Sequence, residues 1–270
     1  MSTSLDIGIE GIGVWADGLP GWPASRDILA ADAAGSRVIN LANSTSRPAP
    51  SLLAATERRR APDSVLLAVE VAQQACIMAG RDPRELPTVF ASAHGDLAIS
   101  DYLCATLARA PLELSPTRFH NSVHNAPSGY WTIAAGCMAS STAISAGATT
   151  FGAGLLEAIL VARSEASAVL LVAYDVAAVG PLADVVPCHT AFAVALVMSP
   201  MSPRAIARLR VQPAYGVAEL APGADVPHAL HNANPAACSL PLLRALARRE
   251  QGTLSLAAGV ELNLHMEILP

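Results

Sequence analysis

Along Leu5–Val14 (LDIGIEGIGV) Ile and Leu alternate with Gly, Asp and Glu, the two-residue period of an opening strand. Pro20–Pro50 shows no period and is dense in Gly, Pro, Asn and Ser, which predicts a loop-rich stretch. From Asp63 the apolar spacing becomes helical: a helix is expected over Ser64–Gly80, with Asp63 as its cap and Gly80 as its stop. Thr88–Ser92 predicts a short strand, His94-Gly95-Asp96 a turn, and Asp96 a cap for a helix running to Arg109. Ser115–Asn125 reads as irregular and polar, followed by a helix over Pro127–Ala135 and a short strand over Thr142–Ser145. A helix is expected over Phe151–Arg163, then buried strands over Ala168–Tyr174 and Thr190–Met198. Ile206–Val211 and Gly259–Ile268 predict further strands, on either side of an amphipathic helix over Ala236–Arg249. Strands alternating with helices point to an α/β layered fold, and no linker splits the chain.

The charge content sharpens this picture. Of 270 residues, 52% are hydrophobic and only 14% charged, which excludes a disordered chain. A net charge of −5 argues against nucleic acid as a partner. All 17 basic residues are Arg, so lysine Schiff-base chemistry and a Walker-type lysine are excluded. A mean hydropathy of +0.40 raises the question of a membrane span. The most apolar window, Ala166–Val186, is broken by Asp175, Pro181 and Asp184, so no span is expected. The first residues lack the basic and apolar regions of a signal peptide, and a cytoplasmic protein is expected. Five widely spaced cysteines without a CxxC pair predict neither a metal site nor a disulfide framework.

One stretch stands apart. Phe119–Leu156 contains no formal charge over nearly forty residues and is rich in Ser, Thr, Asn and Gly. Its surface is more than one small fold covers by itself, and burial in a large apolar interface would explain it.

The same region carries a family likeness. Ser115-Pro116, Asn125, Gly129 and Thr132-Ile133, continued without a gap by Gly136, Ser141, Ile144 and Thr149, resemble a β-ketoacyl synthase of the thiolase superfamily. The strands Val169–Asp175 and Ala191–Ser199 continue the resemblance, which covers roughly Leu5–Ser199. It implies a thiolase-like, layered α-β-α fold with a mixed sheet. A single domain is expected over residues 1–270, with a core over about 5–199 and an extension over about 200–270.

The departures from the family decide the expected function. A working ketosynthase places a nucleophilic cysteine on a strand-to-helix turn. Fifteen residues after Ile133, that position holds Ala148, inside Gly147-Ala-Thr-Thr-Phe-Gly152. No HGTGT string follows Ser199, and His228, His231 and His265 stand in contexts unlike those of the family's two catalytic histidines. The chain therefore resembles the chain-length-factor-like homologues of aryl polyene pathways, carried most closely by Phe119–Gly129 and Gly154–Ala158. The resemblance implies a non-catalytic subunit that pairs with a catalytic ketosynthase and shapes the acyl tunnel, with acyl carrier protein engaged indirectly and no cofactor or metal. Thr117, Arg118 and Phe119 match positions that reach the partner's tunnel, and His124 and Asn125 fall in the interface segment.

Rival uses of the same residues are specific. Thr149 with His124 could serve a hydrolase or acyltransferase, and a homodimeric module could bind acyl carriers or acyl-CoA. His120 and His124, four apart, lack a third metal ligand and read as structural. The Gly147, Gly152 and Gly154 run lacks a phosphate-loop pattern and reads as close helix packing. Arg58-Arg59-Arg60 reads as a solvated charge run, with carrier docking as the minority alternative; Cys137 reads as a packing residue, and Cys188-His189 as strand neighbours facing opposite ways.

Overall fold

The computed structural model describes residues 4–31, 45–200, 202–216 and 233–269. His228 and His231 lie outside the described residues. One eight-stranded sheet runs through the molecule in the order β3-β2-β4-β5-β1-β6-β8-β7. Its strands are β1 (Leu5–Ala16), β2 (Thr88–Ala91), β3 (Ser141–Ile144), β4 (Val169–Asp175), β5 (Phe192–Ser199), β6 (Ala207–Tyr215), β7 (Gly252–Ala257) and β8 (Leu262–Leu269). β2 pairs in parallel with β3 and β4, and the other neighbours are antiparallel, so the sheet is mixed.

Strand β1 shows how sequence becomes packing. Ile7 and Ile9 face one core, and a register shift between Ile9 and Gly11 lets Ile12 and Val14 face the same core. On the other face, a side chain at Gly11 or Gly13 would run into the Ala75 or Val71 carbonyl of α3 (Asp63–Ala79). The glycines thus let α3 press directly on the strand. Along β4 the alternation is clean: Val169, Leu171 and Ala173 enter one core, Leu170, Val172 and Tyr174 the other.

Helices cover both faces. α3 and α6 (Ala126–Ala135) pack on one side; α1 (Trp22–Ala30), α7 (Thr150–Ser164) and α8 (Leu240–Arg248) lie on the other. α7 touches β2, β4 and β5 and also β7 and β8, so the sheet curls around it. Gly152 and Gly154 make this possible. A Cβ at Gly152 would strike the Ala257 carbonyl, and one at Gly154 would come within 2.8 Å of the Ala91 methyl. The expectation of close helix packing is met at Gly152 and Gly154 but not at Gly147, which has nothing within 4 Å and sits in a turn at φ +57°.

Several local readings need correction. Pro20–Pro50 is not all loop, because α1 begins within it with Pro23 in its first turn, where a missing amide costs nothing. Asp63 is the first residue of α3 and not its cap; its carboxylate pairs with Arg47 at 2.7 Å. The segment read as irregular holds a short helix, α5 (Pro116–His120), capped by Ser115. Strand β7 has no clear signal in the sequence pattern, and β6 runs four residues further than the pattern predicts. Cys188-His189 follow a short 3₁₀ turn and do not lie on a strand; Cys188 is buried while His189 is exposed. Gly80 in the left-handed region and Asp96 accepting from the Ile99 amide stop and start their helices as the sequence indicates.

Candidate functional site

Because β2, β3 and β4 are parallel, their carboxyl ends open onto one edge, where loops and helix N-termini converge. Asp175 ends β4 there with 1% of its surface exposed. Its carboxylate accepts hydrogen bonds from the Ser92 hydroxyl (2.8 Å) and from the Ala93 (3.2 Å) and His94 (3.0 Å) amides. Burial pushes its pKa above the usual carboxylate range, and these three donors only partly oppose that. Asn234, from the segment before α8, donates to the Asp175 and Thr190 carbonyls at 2.8 and 2.7 Å. The network locks the ends of β2 and β4 to the chain beyond β6.

At the head of α7, the 3₁₀ turn Gly147–Thr149 carries Ala148 exposed, with Gly147 at φ +57°. The surrounding hydroxyls serve the backbone. Thr149 donates to the Ala146 carbonyl at 2.9 Å, Thr150 to the Gly147 carbonyl at 2.7 Å, and Ser145 to the Ala93 carbonyl at 3.1 Å. A sulfur does approach this helix tip, although not one the family spacing indicates. Cys238, in the turn Pro235–Ser239, feels the Phe151 amide of α7. Burial, reinforced by the Asp175 charge, nevertheless pushes its thiol up to about 12, against the pull of the Cys238 and Phe151 amides. It is protonated at neutral pH and a poor nucleophile. Cys188 is likewise pushed up to about 12 by burial and then by Asp175, and its thiol donates to the Val176 carbonyl at 3.1 Å. Cys137 is buried against the Leu86 carbonyl, a packing residue.

A lobe over residues 97–125 stands at the same edge. Its helix α4 (Leu97–Arg109) buries only Leu97 and Ile99. On α5, Thr117, Arg118, Phe119 and His120 are all exposed, Phe119 at 59%. The Arg118 guanidinium lies 4.0 Å from the centre of the Tyr102 ring. His124 is half-buried, and its Nε2 donates to the Ser92 carbonyl at 2.8 Å, which leaves that nitrogen no lone pair for Thr149. Asn125 is exposed at the N-cap of α6, its carbonyl receiving the Ser128 hydroxyl at 2.9 Å. Asn125 also lines a groove of about 570 Å³ with His120, Val123, Leu52, Tyr130 and Ile133. The uncharged stretch leaves Phe119, Val123, Ile133 (85%) and Met138 (95%) in the open. Within it, β3 pairs with β2 alone, and its other edge has no strand partner among the described residues. Arg58–Arg60 close the short helix α2 (Ala55–Arg60), with Arg59 and Arg60 exposed and Arg58 donating to the Pro50 and Leu53 carbonyls.

Residues 33–259 match the N-terminal domain of β-ketoacyl synthases. The chain belongs to that family. Among solved structures it resembles a complex of a ketosynthase with its chain length factor from Xenorhabdus doucetiae, at 24% identity and a TM-score of 0.73, over 97% of this chain and 99% of that one. It also resembles a type II polyketide acyl-carrier protein in complex with its ketosynthase, at 10% identity and a TM-score of 0.71, over 98% and 99% of the two chains. A β-ketoacyl synthase from Burkholderia phymatum follows at 11% identity and 0.58, over 93% of this chain and 71% of that one. These likenesses are of fold. No curated protein matches the chain in sequence.

Within the family, the thiolase-like sheet and its α7 are the expected ones. Sequence reasoning missed Cys238, because nothing in spacing brings position 238 to the head of a helix that starts at 150. It also missed Tyr102, whose neighbours give no motif. No helix among the described residues is long and apolar enough to cross a membrane.

Proposed function

We propose that this chain is a non-catalytic, chain-length-factor-like subunit of a heterodimeric β-ketoacyl synthase, acting on carrier-bound acyl chains of the aryl polyene or polyketide type. The observation that carries it is Ala148. At the strand-to-helix turn where the family holds its nucleophile, the exposed side chain is a methyl, which cannot attack a thioester. The nearby thiol of Cys238 is held protonated, and the hydroxyls of Thr149 and Thr150 are turned into the backbone. The partner then supplies the thiolate and both histidines. This subunit supplies tunnel wall from the segment bearing Thr117, Arg118 and Phe119, and binding surface from the uncharged stretch and the outer edge of β3. Four large apolar side chains left in the open across that stretch are the kind of surface that an obligate interface covers.

Condensation assays on the isolated chain, the isolated partner and the two together test this. The pair is expected to condense malonyl and acyl carriers, and the isolated chain to be inert. Cys238→Ala and Thr149→Ala in this chain should leave the pair's rate within about twofold, since neither group takes part in the chemistry. Ile133→Glu should abolish pairing by placing a charge in the apolar contact. Thioester hydrolysis by the isolated chain that Thr149→Ala removes would establish the hydrolase instead. Tight carrier or acyl-CoA binding by a homodimer indifferent to ketosynthase would establish the binding module.

A further inference from the structure

We propose that the cavity at the edge of the sheet where β1 and β4 begin, walled by β1, β6 and the end of α7, binds the phosphate monoester group of a small molecule. The site is separate from the candidate site described above and does not depend on the proposed pairing.

Strand register arranges the charges. β6 lies between β1 and β8, so that Arg210 stands between Asp6 and Glu267, and Arg208 between Gly8 and Leu269. Leu209 and Val211 enter the core, so both arginines project from the other face of β6. Arg210 is compensated on either side, its guanidinium donating to Asp6 and to Glu267, each at 3.2 Å. Arg208 has a bare glycine on one strand and a leucine on the other. Among the described residues it makes no ion pair or hydrogen bond. Arg163, in the last turn of α7, donates among the described residues only to the Asp6 carbonyl, at 3.5 Å. A neutral carbonyl at that distance leaves its charge uncompensated as well.

These three arginines and Asp6 face one cavity of about 630 Å³, a volume suited to a small molecule. Two uncompensated guanidinium forks offer four paired donors. A carboxylate has two oxygens to receive them, whereas a phosphate monoester presents three and carries up to two charges. Ile7, Pro200, Pro203 and Leu269 add apolar wall, against which an organic group on the phosphate can rest. Asp6 is the opposing charge in the lining, held off by its bond to Arg210.

The position sets this cavity apart. β1 is antiparallel to β5, and β5 to β4, so β1 and β4 run the same way. Asp6 near the start of β1 is therefore at the far edge from Asp175, which ends β4. α7 spans the gap, rising about 20 Å from Thr150 to Arg163. A ligand held here is remote from the turn that carries Ala148.

Inorganic phosphate and phenyl phosphate, titrated calorimetrically into the full chain at constant ionic strength, test the site. Both should bind, phenyl phosphate more tightly. Arg208→Ala and Arg163→Ala should each weaken phenyl phosphate about tenfold or more, through the loss of charge-assisted hydrogen bonds. Asp6→Asn should tighten it about three- to tenfold, because an opposing charge goes and Arg210 is released. Arg59→Ala, on α2, should change nothing. Absence of binding by both probes overturns the proposal, as does affinity unchanged in Arg208→Ala and Arg163→Ala. Where those variants fail to fold, Asp6→Asn decides, and an unchanged or weaker affinity overturns it. Arg208-dependent binding of polyglutamate with phenyl phosphate inert would assign the surface to an acidic macromolecule and overturns it too. Pairing with a ketosynthase is read separately, so either result stands if the other fails.

Discussion

At Glu10 a carboxylate with 2% of its surface exposed meets the Arg81 guanidinium through two hydrogen bonds of 2.6 and 2.7 Å. Burial alone would raise its pKa. The Arg81 and Ser202 hydrogen bonds and the charges of Arg81 and Arg204 outweigh that and bring it below the usual 4.5. A carboxyl group whose pKa is lowered on folding stabilises the fold above its ordinary value, and the gain is lost as pH falls through the lowered one. Glu10→Gln is therefore expected to cost about 2–3 kcal/mol at pH 7, as for a mostly buried pair deprived of one charge. In urea unfolding the gap between the two proteins should narrow steadily as the pH drops below about 4.5. A pH-independent gap would show that the pair acts through packing alone. The alternation of Leu5–Val14 marks this strand plainly in the sequence. The charge inside it gives no sign of its partner, because Arg81 lies 71 residues away and meets it only in the folded chain. The turn that carries Ala148 ahead of a helix is legible in one collinear stretch, whereas Cys238 reaches the same helix only through the tertiary fold.

Elements differ in how far their own residues announce them. β4 and β5 are unbroken apolar runs and α3 ends on a glycine, so these are read directly. α5 and β7 are short and half-polar, and their existence depends on what they lean against: Tyr102 for the one, β8 and α7 for the other. The glycines of α7 make that dependence measurable. At Gly152 an added methyl would meet the Ala257 carbonyl, a backbone atom of β7 that cannot rotate away. Gly152→Ala should therefore destabilise the fold by about 2 kcal/mol or more, although alanine is the better helix former. Gly129→Ala, where nothing lies within 4 Å, provides the control and should be neutral or stabilise by up to about 1 kcal/mol. Thermal unfolding of the two variants checks the contrast. Equal midpoints would mean that β7 does not close over α7.

Over the whole molecule, polarity is distributed unevenly. The strand edge at β3 and the exposed side chains between Phe119 and α6 form an uncharged border with Phe119, Val123, Ile133 and Met138 in the open, flanked by the charged lobe carrying α4 and Arg118. At the heads of the parallel strands, the hydroxyl and amide groups of Ser92, Thr149 and Asn234 hydrogen-bond within the chain. Under the proposed function, this scaffold of the ketosynthase family is one half of an assembly whose chemistry lies in the other half. The most direct test is the native mass of the assembly recovered with this chain after co-expression with a ketosynthase. A one-to-one heterodimer is predicted, with little of this chain in any other form; a monodisperse monomer or homodimer, with the ketosynthase left behind, would contradict it.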